Sequence, residues 1–306
     1  MPAGHDHAGD LTATGRHRGR LSAVMAISAG IAAAEIAGAV VSGSLVLVAD
    51  AAHMAADAAG VGLSVLAAYV AARPASGRAT FGYARAEILA ATVNALLLFG
   101  LAAFIIAQAV QRLAAPPPVG SGVMIVFGLV ALAGNGISLL LLRGGRTESL
   151  NVRGAYLEVA SDTFGALAVI VSGVVILTTG FLLADPIASL AVALLILPRT
   201  WRLLRDAVDV LLEASPRGVD LTLVRAHMTG LAGVTDVHDL HAWTITSGLP
   251  VLSAHVVVDP AVLAANQSAA MLDALQDCLR GHFDVVHSTF QLEPAGHAEH
   301  EPAVCL

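Results

Sequence analysis

The sequence predicts an α-helical polytopic membrane protein: six transmembrane helices followed by a small α+β domain of order αββαβ. Three observations predict it. Of 306 residues, 57% are hydrophobic and only 13% charged, against about 25% charged in soluble globular domains. Up to about residue 212 the chain is a series of apolar runs, each close to the roughly twenty residues a helix needs to cross a bilayer. After Glu213 the composition turns to that of a soluble domain. The expected organisation is therefore an N-terminal tail at 1–20, a membrane domain at 21–212, an α+β domain at 213–293 and a C-terminal tail at 294–306.

The spans are placed at Leu21–Val41, Ser44–Ala72, Ala84–Leu113, Val119–Leu142, Arg153–Thr179 and Asp185–Leu212. Gly/Ser, Arg-Pro, Pro-Pro-Pro, Arg-Gly-Gly-Arg and Thr-Thr-Gly segments punctuate them. Arg16, Arg18 and Arg20 precede the first run in the order of a signal peptide. That run is long and more spans follow, so it reads as an uncleaved first span. All sixteen basic residues are arginine. The N-terminal segment, the Arg73–Arg78 loop and the Arg143–Arg153 loop carry most of the juxtamembrane positive charge, while the alternate loops hold almost none, Arg112 excepted. The positive-inside rule then puts both termini in the cytoplasm, and the short loops favour the plasma membrane. The net charge of −7 and the lack of a basic cluster give no sign of a nucleic-acid partner. Two isolated cysteines, Cys278 and Cys305, make neither a thiolate zinc site nor a disulfide framework.

Beyond the spans, Val219–Leu231 reads as a helix, Thr235–Thr246 and Val251–Asp259 as two strands joined at Ser247-Gly248-Leu249-Pro250, Asn266–His282 as a second helix capped near Asn266 or Ser268, and Val285–Glu293 as a last strand. That order fits helices on one face of an antiparallel sheet.

The chemistry lies in the second and fifth spans. His53 and Asp57 are four residues apart, and Glu158 and Asp162 repeat the spacing. Four residues are about one helical turn, so each pair projects from one face. An ionisable group at bilayer depth costs about 2.5–3.5 kcal/mol on insertion scales, which makes bystanders rare. Two matched pairs read as the halves of one cation site, of the His-nitrogen and carboxylate-oxygen kind that zinc accepts and that suits manganese and iron as well. Asp50 falls on the face of His53 and Asp57; it either orients a ligand or handles a proton, or makes a structural hydrogen bond. Glu35, Asn94, Gln108 and Asn135 are expected to join helices by hydrogen bonds. Glu87 is expected to pair with Arg85 or with an arginine of another span.

Several stretches carry a resemblance. Ser42-Gly43-Ser44-Leu45-Val46-Leu47-Val48-Ala49-Asp50-Ala51-Ala52-His53 resembles the signature region of the cation diffusion facilitator family. So do Phe81-Gly82-Tyr83 with Arg85 and Glu87, the Leu150–Tyr156 lead-in, Ala184-Asp185-Pro186, and His238-Asp239-Leu240-His241-Ala242-Trp243. The resemblance implies a homodimeric exporter that trades cytoplasmic Zn2+ or a related divalent ion, such as Cd2+ or Co2+, for H+. Its transport site maps onto His53, Asp57, Glu158 and Asp162. The zinc-selective branch usually carries His where Glu158 stands, so manganese or iron export is the alternative within the family. Alternating access is the expected mechanism: metal needs neutral imidazole and ionised carboxylates, so metal and protons compete for the same groups.

In the soluble domain, His238, His241, His255, His282 and His287 lie within about fifty residues. On a regular strand His238 and His241, three apart, point to opposite faces. The favoured single site is His238, His255 and His287, one from each strand. Glu293 and His241 are further candidate ligands, reachable across a dimer. His5-Asp6-His7, His297 and His300 read as solvated tails. Two other classes compete. An intramembrane metallohydrolase lacks support, because neither HExxH nor GxSxG is present. A non-transporting metal sensor would need the soluble histidines but not the membrane pairs.

Overall fold

The structure, a computed structural model, describes residues 18–144, 150–246, 248–264, 267–285 and 287–300. Asn266, Ser247, Cys305 and His5-Asp6-His7 lie outside these residues. Six long helices come first: α1 Arg18–Ser42, α2 Leu45–Ala71, α3 Ala86–Ala114, α4 Ser121–Leu142, α5 Leu150–Thr179 and α6 Ala184–Leu211. The shortest has 22 residues and the longest 30. At 1.5 Å per residue even the shortest is about 33 Å long, and all six are long and apolar enough to cross a membrane. A helix satisfies its backbone polar groups internally, as a lipid environment demands.

The chain divides into two compact units, Met1–Leu63 with Val93–Leu203, and Ser64–Thr92 with Leu204–Leu306. In the first, Leu47, Ile105, Met124, Val169 and Ala193 form the core. Large apolar side chains such as Leu97, Val126 and Leu195 face outward, the inverse of a water-soluble bundle. Helix α4 packs on both α1 and α5. At Gly128 of α4 an added Cβ would come within 2.8 Å of the Ile170 side chain of α5, so a small residue here is what lets the two helices approach.

The start of α2 is fixed from a distance. Its free amide groups at Leu45 and Val46 donate to the Asp185 carboxylate at 2.8 and 3.3 Å, and the Ser44 hydroxyl donates at 2.5 Å. The acid that opens α6 thus caps the helix that carries His53. Arg112 completes the cluster: its guanidinium donates to the Gly43 carbonyl at 2.7 Å and lies 3.5 Å from Asp185. This accounts for the arginine that broke the loop charge asymmetry. The expected polar glue is not found at every position. Glu35 of α1 is buried beside Asp50 of α2, but the side-chain carbonyls of Asn94 and Asn135 are buried without a hydrogen-bond partner among the described residues.

The second unit holds α7 Leu221–Thr229, β1 Val234–Thr244, β2 Pro250–Val258, α8 Pro260–Ala264, α9 Ser268–Phe283 and β3 His287–Glu293. Asp220 caps α7, accepting from the Thr222 and Leu223 amides. The short α8 was not expected; Pro260 suits its first position, and the Asp259 carboxylate accepts from the Ala261 amide at 2.8 Å. Val224, Met228, Leu275 and Leu279 of the helices bury against Val237, Ala242, Leu252, Ala254 and Val256 of one sheet face. The sheet order is β1-β2-β3, but only β1 and β2 are antiparallel; β3 runs parallel to β2. The expected all-antiparallel sheet is corrected for a topological reason: α8 and α9 form a crossover between β2 and β3, and a crossover returns the chain in the same direction. Glu87, expected to pair with an arginine, instead accepts from the Thr246 hydroxyl at 2.7 Å, while Arg85 pairs with Glu213 at 2.7 Å.

Candidate functional site

Helix α2 runs unbroken through its alanine-rich middle, so His53 and Asp57 stand one turn apart. The His53 Nε2 lies 3.5 Å from an Asp57 carboxylate oxygen and 3.9 Å from Asp162 Oδ1 of α5. Ligand atoms of His53, Asp57 and Glu158 all lie within 4.8 Å of one another. The two sequence pairs therefore meet. A tetrahedral zinc ion with bonds of about 2.0–2.1 Å separates its ligand atoms by about 3.3–3.5 Å, close to the His53–Asp57 spacing. Asp162 is buried, and its Oδ1, like His53 Nδ1, has no hydrogen-bond partner among the described residues. Buried polar atoms rarely stay unpaired without a role.

Asp50 is also buried, but it packs against α5 at Gly165, where an added Cβ would come within 2.3 Å of the Asp50 Oδ1. Glycine is required there by close approach. Sequence reading missed a fifth member of this group. Arg199 of α6 grips Glu158 with two donors, Nη1 to Oε1 at 2.8 Å and Nη2 to Oε2 at 2.6 Å. The available signal was an arginine directly after Pro198 inside a span.

A second cluster lies on the sheet face away from α7 and α9. His238 pairs in register with His255 across β1 and β2. His238 Nε2 lies 3.1 Å from Glu293 Oε2, and His255 Nδ1 lies 2.9 Å from Glu293 Oε1. The two imidazoles meet edge to face at 5.2 Å. Gln291 donates to Glu293 at 2.8 Å. The Glu293 carboxylate is buried, and the three residues form a second group with ligand atoms within 4.8 Å.

This corrects the favoured soluble trio, because Glu293 and not His287 joins His238 and His255. In the parallel register Glu293 sits beside Val257 and His287 beside Val251, so they stand at opposite ends of β3, with five residues between them. His287 instead meets the Phe81 ring at 5.6 Å. A second correction concerns His241. A register shift between His238 and His241 sets His238 opposite His255 and His241 opposite Ser253. Those partners share a face of β2, so both histidines do too. The extra residue of a bulge cancels the strand alternation, and Asp239 within it takes φ +47°, a region unusual for a side-chain-bearing residue. Asp239 binds His241 Nε2 at 2.9 Å and lies 3.7 Å from His255 Nε2. The His241 hydrogen bond holds the Asp239 carboxyl below the usual range. His297 and His300 lie in a short 3-10 turn at the end of the described chain.

Comparisons with known proteins place these clusters in context. The description "Cation efflux transmembrane domain" matches residues 21–212, and "Cation efflux protein, cytoplasmic domain" matches residues 216–295. The "Metal cation efflux system protein CzcD" of Cupriavidus metallidurans is 42% identical over 96% of this chain and 91% of its own length. The "Zinc transporter ZitB" of Escherichia coli is 36% identical, covering 96% and 93%. The "Cadmium, cobalt and zinc/H(+)-K(+) antiporter" of Bacillus velezensis is 35% identical, covering 100% and 96%. A solved structure, the metal-bound C-terminal domain of the Cupriavidus CzcD transporter, is 41% identical over 24% of this chain and 99% of that chain, with a TM-score of 0.23.

Proposed function

The chain belongs to the cation efflux family, the cation diffusion facilitators, which are membrane transporters and not enzymes, and from that premise we propose that it exports a divalent cation from the cytoplasm in exchange for protons. Zinc is the first substrate, with cadmium and cobalt beside it. The observation that carries this reading is the convergence of α2 and α5: ligand atoms of His53, Asp57 and Glu158 lie within 4.8 Å of one another, and Asp162 lies 3.9 Å from His53. The relatives' names support the choice of ions, and that of the Bacillus protein supports proton coupling.

Metal ligation requires the carboxylates ionised and the imidazole neutral, so an arriving ion displaces protons and arriving protons displace the ion. Alternating exposure of this one site to the two sides of the membrane turns that competition into antiport. The protein acts as a homodimer in the plasma membrane with both termini in the cytoplasm; the match to the family's cytoplasmic domain supports this assembly. In the soluble domain His238, His255 and Glu293 take a regulatory metal ion, with Asp239 and His241 at its rim. Two imidazoles and one carboxylate form a donor set that suits zinc.

Flux into proteoliposomes under a pH gradient, with zinc, cadmium, cobalt, manganese and iron in turn, tests the assignment. Zinc, cadmium and cobalt should move faster than manganese and iron. Repeating the assay with and without potassium checks the second counter-ion in the Bacillus relative's name. A second reading, manganese or iron export, rests on the oxygen-rich donor set created by Glu158 and wins if those ions move and zinc does not.

A further inference from the structure

Glu158 already has a cation, and the protein supplies it. Both carboxylate oxygens accept from the Arg199 fork at 2.8 and 2.6 Å. A guanidinium stays charged at any accessible pH, so this positive charge cannot leave as a proton. It leaves Glu158 only by moving. The Arg199 side chain reaches Glu158 from α6 and is not enclosed by the rest of the chain, being 64% exposed.

The charge count gives the pair a purpose. Metal-ready, the group holds a neutral His53 and three ionised carboxylates, Asp57, Glu158 and Asp162. That is three negative charges, one more than a divalent ion neutralises. Arg199 brings the total to two. A neutral histidine at 158 would reach the same total without any arginine. Glu158 with Arg199 is therefore equivalent in charge to one neutral ligand.

We propose that Arg199 is a specificity-determining counter-cation: it sets the site's net charge to match a divalent ion and occupies Glu158 until the ion displaces it. The assignment rests on the reading that these four side chains carry the transported ion. The tethered guanidinium keeps an excess carboxylate from trapping metal, and it refills Glu158 when the ion leaves.

The test is a charge cycle on the full-length protein in proteoliposomes, with zinc KM and kcat read separately. Glu158→Gln leaves Arg199 unpaired beside the incoming ion, so KM should rise by about thirtyfold or more. Removing the arginine as well, in Glu158→Gln/Arg199→Gln, returns the net charge to two and should bring KM back to within about fivefold of wild type. Arg199→Gln alone leaves three negative charges; KM and kcat should both fall, by about tenfold each, as zinc binds more tightly and leaves more slowly. Arg199→Lys keeps the charge and should hold KM within about threefold, which also guards against loss of folding in the glutamine variants. If the double variant is no better than Glu158→Gln while wild type transports zinc, Arg199 merely braces α5 against α6 and the proposal is wrong. If wild type moves no divalent ion at all, the transport reading fails first and takes this assignment with it.

Discussion

Two histidine–carboxylate clusters stand out among the described residues, and they are built in opposite ways. The one in the first unit stands on helices, with a single imidazole among three carboxylates. Its His53 contacts, at 3.5 and 3.9 Å, exceed hydrogen-bond length and approach the edges of a coordination tetrahedron. Two of its buried atoms have no partner among the described residues. The one in the second unit stands on strands, with two imidazoles closed onto one carboxylate at 2.9 and 3.1 Å. Those are hydrogen-bond lengths. On the proposed reading, the first cluster holds the ion that comes and goes. The second is closed by its own hydrogen bonds, which an ion would have to break to enter.

The largest effect expected from this contrast is on transport. Asp162→Ala should lower zinc flux by about 100-fold or more while the purified protein remains folded by circular dichroism. Retained flux would break the distinction between the clusters. Next comes the soluble site. Glu293→Gln removes the charge both imidazoles share, and zinc affinity of the C-terminal cluster should fall by about 10–100-fold, read by calorimetry in an Asp162→Ala background. His287→Ala, by contrast, should change that affinity less than about twofold, since His287 lies six residues along β3. An equal loss in both variants would return His287 to the ligand set. Smaller still is the effect of the remote cap: Asp185→Asn should cost about 1–3 kcal/mol of stability in detergent, through the weakened cap of α2 and the loss of Arg112's ion pair.

The same contrast explains what the sequence disclosed. A helix is a local structure, so four-residue spacing alone put His53 with Asp57 and Glu158 with Asp162. The lengths and apolarity of the six spans followed from bilayer thickness for the same reason. The sheet cluster depends on pairings between distant segments. The parallel course of β3, which brings in Glu293 and sends His287 away, is decided by the α8–α9 crossover. The bulge at Asp239, which turns His241 onto the face of His238, leaves no periodic trace. Arg199 was missed for a related reason: its place depends on a contact between α6 and α5, and an arginine followed by Arg202 and Arg205 in the same helix reads as part of a basic run bound for the interface.

The central claim is that the membrane cluster exchanges a divalent cation for protons. Its most direct test is zinc-driven proton movement in sealed vesicles, followed with a pH-sensitive dye, for wild type against Asp57→Ala. Zinc should drive proton flow in wild type and none above background in the variant. Equal proton flow in both, or zinc uptake by wild type with no proton movement, would contradict the account.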